Sequence, residues 1–294
     1  MKRVTLTALL LLATAPAAPL TARGALAETV LAGHPVTAGL AQALTQGTGV
    51  AVEAVVPPAI PMGRQLSFLG GRGEAKFAEA ARKADAVLTL RSVWTDDPLY
   101  PLARRANIRL VEIDAARPVD GALPGIALRE GAAFPWLGVA NAGRMADILA
   151  ADLRRLYPAS APAIDANLAT VKRGLLALSA QTARSFAALP DPSVAALSDR
   201  FAMLAADFGL DLRRVWTHDD RDWTPERLAE LTAFLKAERI PAVLHHRQPA
   251  PEIARAVADG GARLVVLDSL ESGPPAAIDA ALARIAEQVE AGLR

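Results

Sequence analysis

The 294-residue chain is 52% hydrophobic and 21% charged, a balance that suits one large or two modest globular domains and excludes a disordered or fibrous protein. A formal charge of +1 excludes an electrostatic nucleic-acid binder. With no cysteine, disulfides, thiolate metal sites, iron–sulfur clusters and cysteine nucleophiles are excluded, and His34, His218, His245 and His246 are the only imidazoles.

The first 27 residues read as an address. Lys2 and Arg3 form a positive start, Thr5 to Ala18 is nearly all apolar or small, and Ala25-Leu26-Ala27 supplies a small-residue cleavage site before Glu28. This is the pattern of a secretory signal peptide, with an apolar core too short to span a membrane comfortably. The expected mature chain starts near Glu28 and is exported to the periplasm. Without Lys2, Arg3 and Arg23 it carries 29 basic against 31 acidic residues, a formal charge of −2.

Short β-type runs then alternate with helix-type runs. Thr29 to Ala32 predicts a strand ending at Gly33-His34-Pro35, Val36 to Gln46 a helix, and Val50 to Val56 a strand stopped by Pro57-Pro58. Gly63 to Gly73 predicts a glycine-rich loop, Glu74 to Lys83 a helix, Ala86 to Leu90 an apolar strand, Pro98 to Ala106 a helix and Arg109 to Ile113 a strand. Such alternation implies βαβ units and a parallel sheet covered on both faces. Val139 to Leu156 and Pro162 to Leu189 carry apolar residues at helical spacing. The second of these, about 42 Å long as a helix, suits a rigid strut between two lobes.

Beyond Pro190-Asp191-Pro192 the alternation resumes. Strands are expected at Ser193 to Ala196, Leu212 to Trp216, Ala242 to His245 and Arg263 to Leu267, with helices at Arg200 to Phe208, Pro225 to Glu238, Pro251 to Asp259 and Pro275 to Leu293. Thr224 followed by Pro225 is a helix start. The expected architecture is α/β: two lobes with parallel β-sheets flanked by helices, over residues 28–158 and 191–294, joined by one long helix over 159–190. Ligands of such sheets bind beyond the carboxyl ends of the strands. His34, Arg91, Asp114, His245, His246 and Asp268 stand at such ends.

Several segments carry a family likeness in their order and spacing. They are Ala84-Asp85-Ala86-Val87, Trp136-Leu137 with Asn141-Ala142, Ser198-Asp199-Arg200-Phe201 with Phe208-Gly209-Leu210, Ile240 to Gln248 with Ile253-Ala254-Arg255, and Ala262 to Leu270. Together they resemble the solute-binding proteins of zinc and manganese ABC importers over nearly the whole mature chain. The resemblance implies a two-lobed fold that captures a small ligand for an ABC permease in the inner membrane, with Zn2+ or Mn2+ as the transported ligand. It also implies three imidazoles, or two and a Glu, around the ion, completed by one Asp. Here the region assigned to the first imidazole is Phe68-Leu69-Gly70-Gly71-Arg72-Gly73, the second position is Phe134, the third is Ser198, and only the carboxylate is kept, as Asp268. Phe and Leu do not ligate metals, and Ser rarely does.

A rebuilt metal site would draw on Asp268, His246, His245 and His34. Each has a structural alternative: a loop hydrogen bond for Asp268, a strand-end hydrogen bond for the histidine pair, and a helix cap for His34. His218-Asp219-Asp220-Arg221-Asp222 lacks calcium-loop spacing and reads as a solvated turn. Trp94, Trp136 and Phe134 are cleft-lining or core residues. Enzyme motifs such as G-x-S-x-G and H-E-x-x-H do not occur, so no enzyme activity is expected. Two alternatives stand beside the importer reading: a binding-degenerate accessory protein, and a binder of anions or metal chelates using Arg64, Arg72 and Arg91, helped by the backbone of Gly70 to Gly73.

Overall fold

The structure is a computed structural model and describes residues 28–129 and 133–294. The expected signal peptide lies outside the described residues. The first sheet has β1 (Thr29–Ala32), β2 (Ala51–Ala54), β3 (Ala86–Thr89) and β4 (Val111–Asp114), in the order β2-β1-β3-β4 and parallel throughout. The second has β5 (Ser193–Ala196), β6 (Asp211–Val215), β7 (Ala242–His245) and β8 (Arg263–Val266), in the order β6-β5-β7-β8 and again all parallel. Counted from each lobe's own first strand, the two orders are identical. The lobes thus repeat a topology that no repeat in the sequence announces.

Among the described residues ten helices cover these sheets: α1 (Pro35–Leu44), α2 (Gln65–Leu69), α3 (Glu74–Lys83), α4 (Leu99–Ala106), α5 (Val139–Leu156), α6 (Ala161–Ala187), α7 (Ala202–Phe208), α8 (Pro225–Glu238), α9 (Pro251–Asp259) and α10 (Ile278–Leu293). Side chains on a strand alternate faces, and the inner strands divide accordingly. Val30, Ala32, Ala86 and Leu88 of the first sheet, and Val194, Ala196, Ala242 and Leu244 of the second, all join one central apolar core. The residues between them point outward. Leu31 and Val87 pack under α3 and α4 with Phe77 and Leu99, while Ala195 and Val243 pack under α8 and α9 with Leu231 and Ile253.

The central core runs across the lobe boundary, filled by the buried faces of α1, α5, α6, α7 and α10. α6 spans about 40 Å and buries Ile164, Leu175, Leu178, Thr182 and Phe186 along one stripe. Its far end stacks Phe186 on Phe208 of α7, with ring centroids 5.3 Å apart. Among the described residues no helix is long and apolar enough to cross a membrane.

The chain between β8 and α10 straps the second lobe onto the first. The Trp136 indole N–H donates to the Ser269 carbonyl at 3.0 Å, Gly273 N–H to Pro58 O at 2.9 Å, and Ala276 N–H to Pro35 O at 3.0 Å. Gly39 of α1 lies so close beneath this strap that a Cβ there would meet the Ala276 carbonyl oxygen at 1.8 Å.

Most expected boundaries fall within two residues of the observed ones, and three elements differ by more or in kind. Gly63 to Gly73 is not a loop: a 3-10 turn at Met62–Arg64 runs into α2, because Gln65 and Leu69, four residues apart, bury on one face. Only the turn before Glu74 keeps glycine character. The last helix starts at Ile278 instead of Pro275, since Pro275 and Ala276 belong to the strap. Arg200 to Phe208 divides into a 3-10 turn, Asp199–Phe201, and α7.

Gly39→Ala should lower stability by about 3 kcal/mol, because the contact is with backbone that cannot step aside. Gly63→Ala, with nothing within 4 Å of the new Cβ, should change it by about 0.5 kcal/mol or less. Urea midpoints of the two variants check this, and equal midpoints would contradict the close strap.

Candidate inter-lobe site

In each sheet the strand order reverses beside its first strand, opening a crevice at the carboxyl ends. His34 stands beyond β1, Ser198 beyond β5, His245-His246 at the end of β7 and Asp268 beyond β8.

His34 is buried. Its Nδ1 accepts from Val36 N–H at 3.2 Å, capping α1, and its ring packs edge-on against Trp136 at 4.7 Å. Burial pushes its pKa down to about 3, against the pull of Glu271, so the ring is neutral at ordinary pH. With Nδ1 acting as acceptor, the single ring proton sits on Nε2, a buried atom without a partner. The ring thus offers a donor there, where a metal would need a lone pair.

His245 and His246 come together because β7 ends at His245. Past the strand end the two rings meet edge to face with centroids 4.6 Å apart. Both are neutral, pushed down to about 4: His245 by burial and then Arg247, His246 by burial and then Arg200. Each Nδ1 is buried without a partner. His246 is half-buried. Asp268 is exposed, and its Oδ1 accepts from Leu270 N–H at 2.8 Å. That bond braces a turn in which Leu270 holds φ +55, a left-handed conformation unusual for leucine.

The strongest charge pair of the crevice is one that sequence reasoning missed. Arg200 holds Glu271 through Nε–Oε2 at 2.7 Å and Nη2–Oε1 at 3.3 Å, and Ser269 Oγ donates to Oε2 at 2.7 Å. The guanidinium lies over the Phe134 ring at 4.6 Å and reaches Ser198 Oγ at 3.4 Å. Arg200 and its two bonds hold the Glu271 carboxyl below the usual range against the upward push of burial. Phe134 and Ser198, two of the positions that the family resemblance gives to imidazoles, therefore both touch a guanidinium. The only sequence signals were Ser198 as a cap of the turn, donated to by Arg200 N–H at 3.2 Å, and opposite charges after β5 and β8.

The segment directly after β2 is Val55–Pro61 and the turn at Met62, not Phe68 to Gly73, which lie on α2 and the turn after it. It too lacks His; Met62 instead packs with Trp94 and Phe134 against the central core. A cavity of about 230 Å³ opens beside it at the ends of β1 and β2, lined by His34, Glu53, Gln65, Lys76, Phe77 and Ser272. Gln65, buried, donates to Gly33 O at 2.9 Å. Among the described residues no three His, Asp or Glu side chains form a set that could hold an ion.

The remaining candidates lie apart from this centre. His218 is exposed against Trp223, Asp219 pairs with Arg221, and Asp220 holds Arg247 through bonds of 2.7 and 2.8 Å. Arg91 pairs with Glu112 at 3.2 Å, Arg72 covers the Phe68 ring, and Arg64 is exposed. Trp136 is core, and Trp94 and Phe134 are half-buried at its edge.

Because the unfolded chain takes up protons on His34, His245 and His246 that the folded chain refuses, stability falls as pH drops from 6.5 toward 4. Asp97, pushed up to about 6 by burial, works in the opposite sense between pH 6 and 4. His34→Asn keeps a capping oxygen and should lower Tm at pH 7 while making the acid slope shallower. Circular dichroism melts from pH 7 to 4 check this, and an unchanged slope would contradict a neutral buried His34.

The sequence profile of the family described as "Zinc-uptake complex component A periplasmic" matches residues 101–288. No curated protein matches the chain by sequence. Among solved structures, a mutant of FpvC from Pseudomonas aeruginosa is similar over 90% of this chain and 98% of its own, at 18% identity and TM-score 0.72. The Zn(II)-bound ZnuA-like domain of Streptococcus pneumoniae AdcA is similar over 90% of this chain and 98% of its own, at 18% identity and TM-score 0.69. A crystal structure of ZnuA covers 91% of this chain and 100% of its own, at 19% identity and TM-score 0.70. At these identities the likeness is one of fold, and it agrees with the two parallel sheets and the long linking helix. The profile match covers more than half of the chain, and the chain belongs to the zinc-uptake complex component A family of periplasmic solute-binding proteins.

Proposed function

We propose that the chain is an exported solute-binding subunit of an ABC importer, which takes a divalent metal ion into the crevice between its lobes and passes it to a membrane permease without covalent chemistry. The residue 1–27 address and a periplasmic location belong to this reading. The cargo is a nitrogen- and oxygen-binding ion, Zn2+ or Mn2+, the ions seen with the similar AdcA domain and FpvC.

The observation that carries the reading is the His245–His246 pair, whose rings meet edge to face at 4.6 Å where β7 ends, with the Glu271 carboxylate on the strap after β8 in the same crevice. A neutral imidazole and a carboxylate are the donors such ions take. We assign His246, Glu271 and the exposed Asp268 as the donors, drawn together only as the ion binds because they form no ready set beforehand, with His245 packed against His246 and water completing the shell. His34 keeps its cap and stays outside the set.

A second reading has its own observation. The lack of a ready three-donor set among the described residues fits an accessory protein that keeps the fold and has given up the cargo.

Protein exported to the periplasm and purified without chelator or tag should carry metal by mass spectrometry. The stripped protein should rebind Zn2+ or Mn2+ with a Kd on the order of micromolar, weaker than a three-imidazole site. His246→Ala, and Asp268→Asn, which keeps an oxygen for Leu270 N–H, should each weaken binding by ~10-fold or more. No metal and no titratable site would favour the accessory reading.

A further inference from the structure

The cavity of about 230 Å³ at the carboxyl ends of β1 and β2 is walled by Val56, Phe68 and Phe77, with Ser272 and Gly273 of the strap on one side. Two buried side chains line it, His34 and Gln65, only 2% and 1% exposed. Each leaves one buried polar atom without a partner among the described residues: Nε2 of His34 and Oε1 of Gln65. A buried polar atom with no partner costs free energy, and two beside one cavity call for a group that answers both.

The hydrogen bonds already made fix the character of each atom. The Gly33 carbonyl can only accept, so the Gln65 atom 2.9 Å from it is the amide nitrogen and the unpartnered atom is the oxygen. Val36 N–H can only donate, so His34 Nδ1 carries the lone pair and the ring proton is on Nε2. The cavity therefore has one free donor and one free acceptor. They belong to the same end of it, since a Cβ on Gly33, the residue before His34, would meet Gln65 Oε1 at 3.1 Å. The charged lining side chains, Glu53 and Lys76, are exposed and opposite in sign.

We propose that this cavity binds a small uncharged organic molecule by an amide group, whose carbonyl accepts from His34 Nε2–H and whose N–H donates to Gln65 Oε1, with an apolar body against Val56, Phe68 and Phe77. A carboxylate would set its oxygen against Gln65 Oε1, and an amidinium would set its N–H against that of His34. A metal ion finds no lone pair at His34 Nε2, so this site stands or falls independently of the cation reading of the crevice. The size agrees: an apolar cavity of about 150 Å³ holds benzene, and this one has room for a ring with an amide attached. Gly273 N–H holds Pro58 O at 2.9 Å and both residues line the cavity, so the bound molecule lies against both lobes.

The test is titration of the full mature chain with benzamide, followed by NMR chemical shifts. Benzoate and benzamidine share its shape with a charged head, and toluene lacks the polar head. Benzamide should bind saturably and ~10-fold or more tighter than each of the other three. His34→Asn keeps a capping oxygen but removes Nε2–H, so it should weaken benzamide by ~10-fold and toluene by much less. Ala54→Phe, at an exposed lining position, should block benzamide without disturbing the core. Equal affinities for the four probes would overturn the amide assignment. No saturable benzamide binding would leave water as the only occupant and overturn the site itself. If His34→Asn fails to fold, unchanged benzamide affinity in Ala54→Phe overturns the proposal.

Discussion

One apolar core passes through both lobes, and the rest of the molecule is arranged around that constraint. The inner faces of both sheets and the buried stripes of α1, α5, α6, α7 and α10 form a single cluster, while the outer helix pairs have separate, smaller ones. Opening the lobes like a hinge would expose that cluster to water, at about 25 cal/mol for each Å² of apolar surface. The strap between β8 and α10 adds directed bonds to Pro35, Pro58 and Trp136. The crevice between the lobes is therefore nearly fixed in shape, and a small ligand suits it better than a large one.

Within that fixed frame the movable parts are side chains. Burial keeps the three crevice histidines neutral at ordinary pH. His34 is buried with its Nδ1 committed to capping α1, whereas His246 is half-buried. The charge in the crevice is carried by Arg200 and Glu271, which balance one another. Family membership fixes the fold and the class of protein; Arg200, Glu271 and the neutral imidazoles set the chemistry of this crevice.

Much of the fold was legible because the inner strands β1, β3, β5 and β7 are buried on both faces and Gly and Pro punctuate many of the element ends. Ser193–Ala196, Ala242–His245, Glu74–Lys83, Val139–Leu156 and Pro251–Asp259 lie where hydrophobic period and punctuation put them. Glycine misled at α2, where the buried pair Gln65 and Leu69 outweighed Gly63 and Gly70. Pro275 misled in the opposite way: it resembles a helix start but lies in the strap. The site was harder to read. Arg200 and Glu271 are 71 residues apart, and nothing local marks either as buried or paired. That the adjacent rings of His245 and His246 meet depended on the strand stopping at His245 itself, an end point the sequence locates only to within a few residues.

The measurement that bears most directly on the welded-lobe account is an inter-lobe distance distribution. The chain has no cysteine, so spin labels at Ile108→Cys in the first lobe, where the side chain is 78% exposed, and at Lys236→Cys on exposed α8 would report on the lobes alone. The account predicts one narrow distance that moves by no more than ~2 Å on adding Zn2+ or Mn2+, because one packed core resists bending. A broad or two-peaked distribution, or a shift of several ångströms with metal, would show a hinge and contradict it.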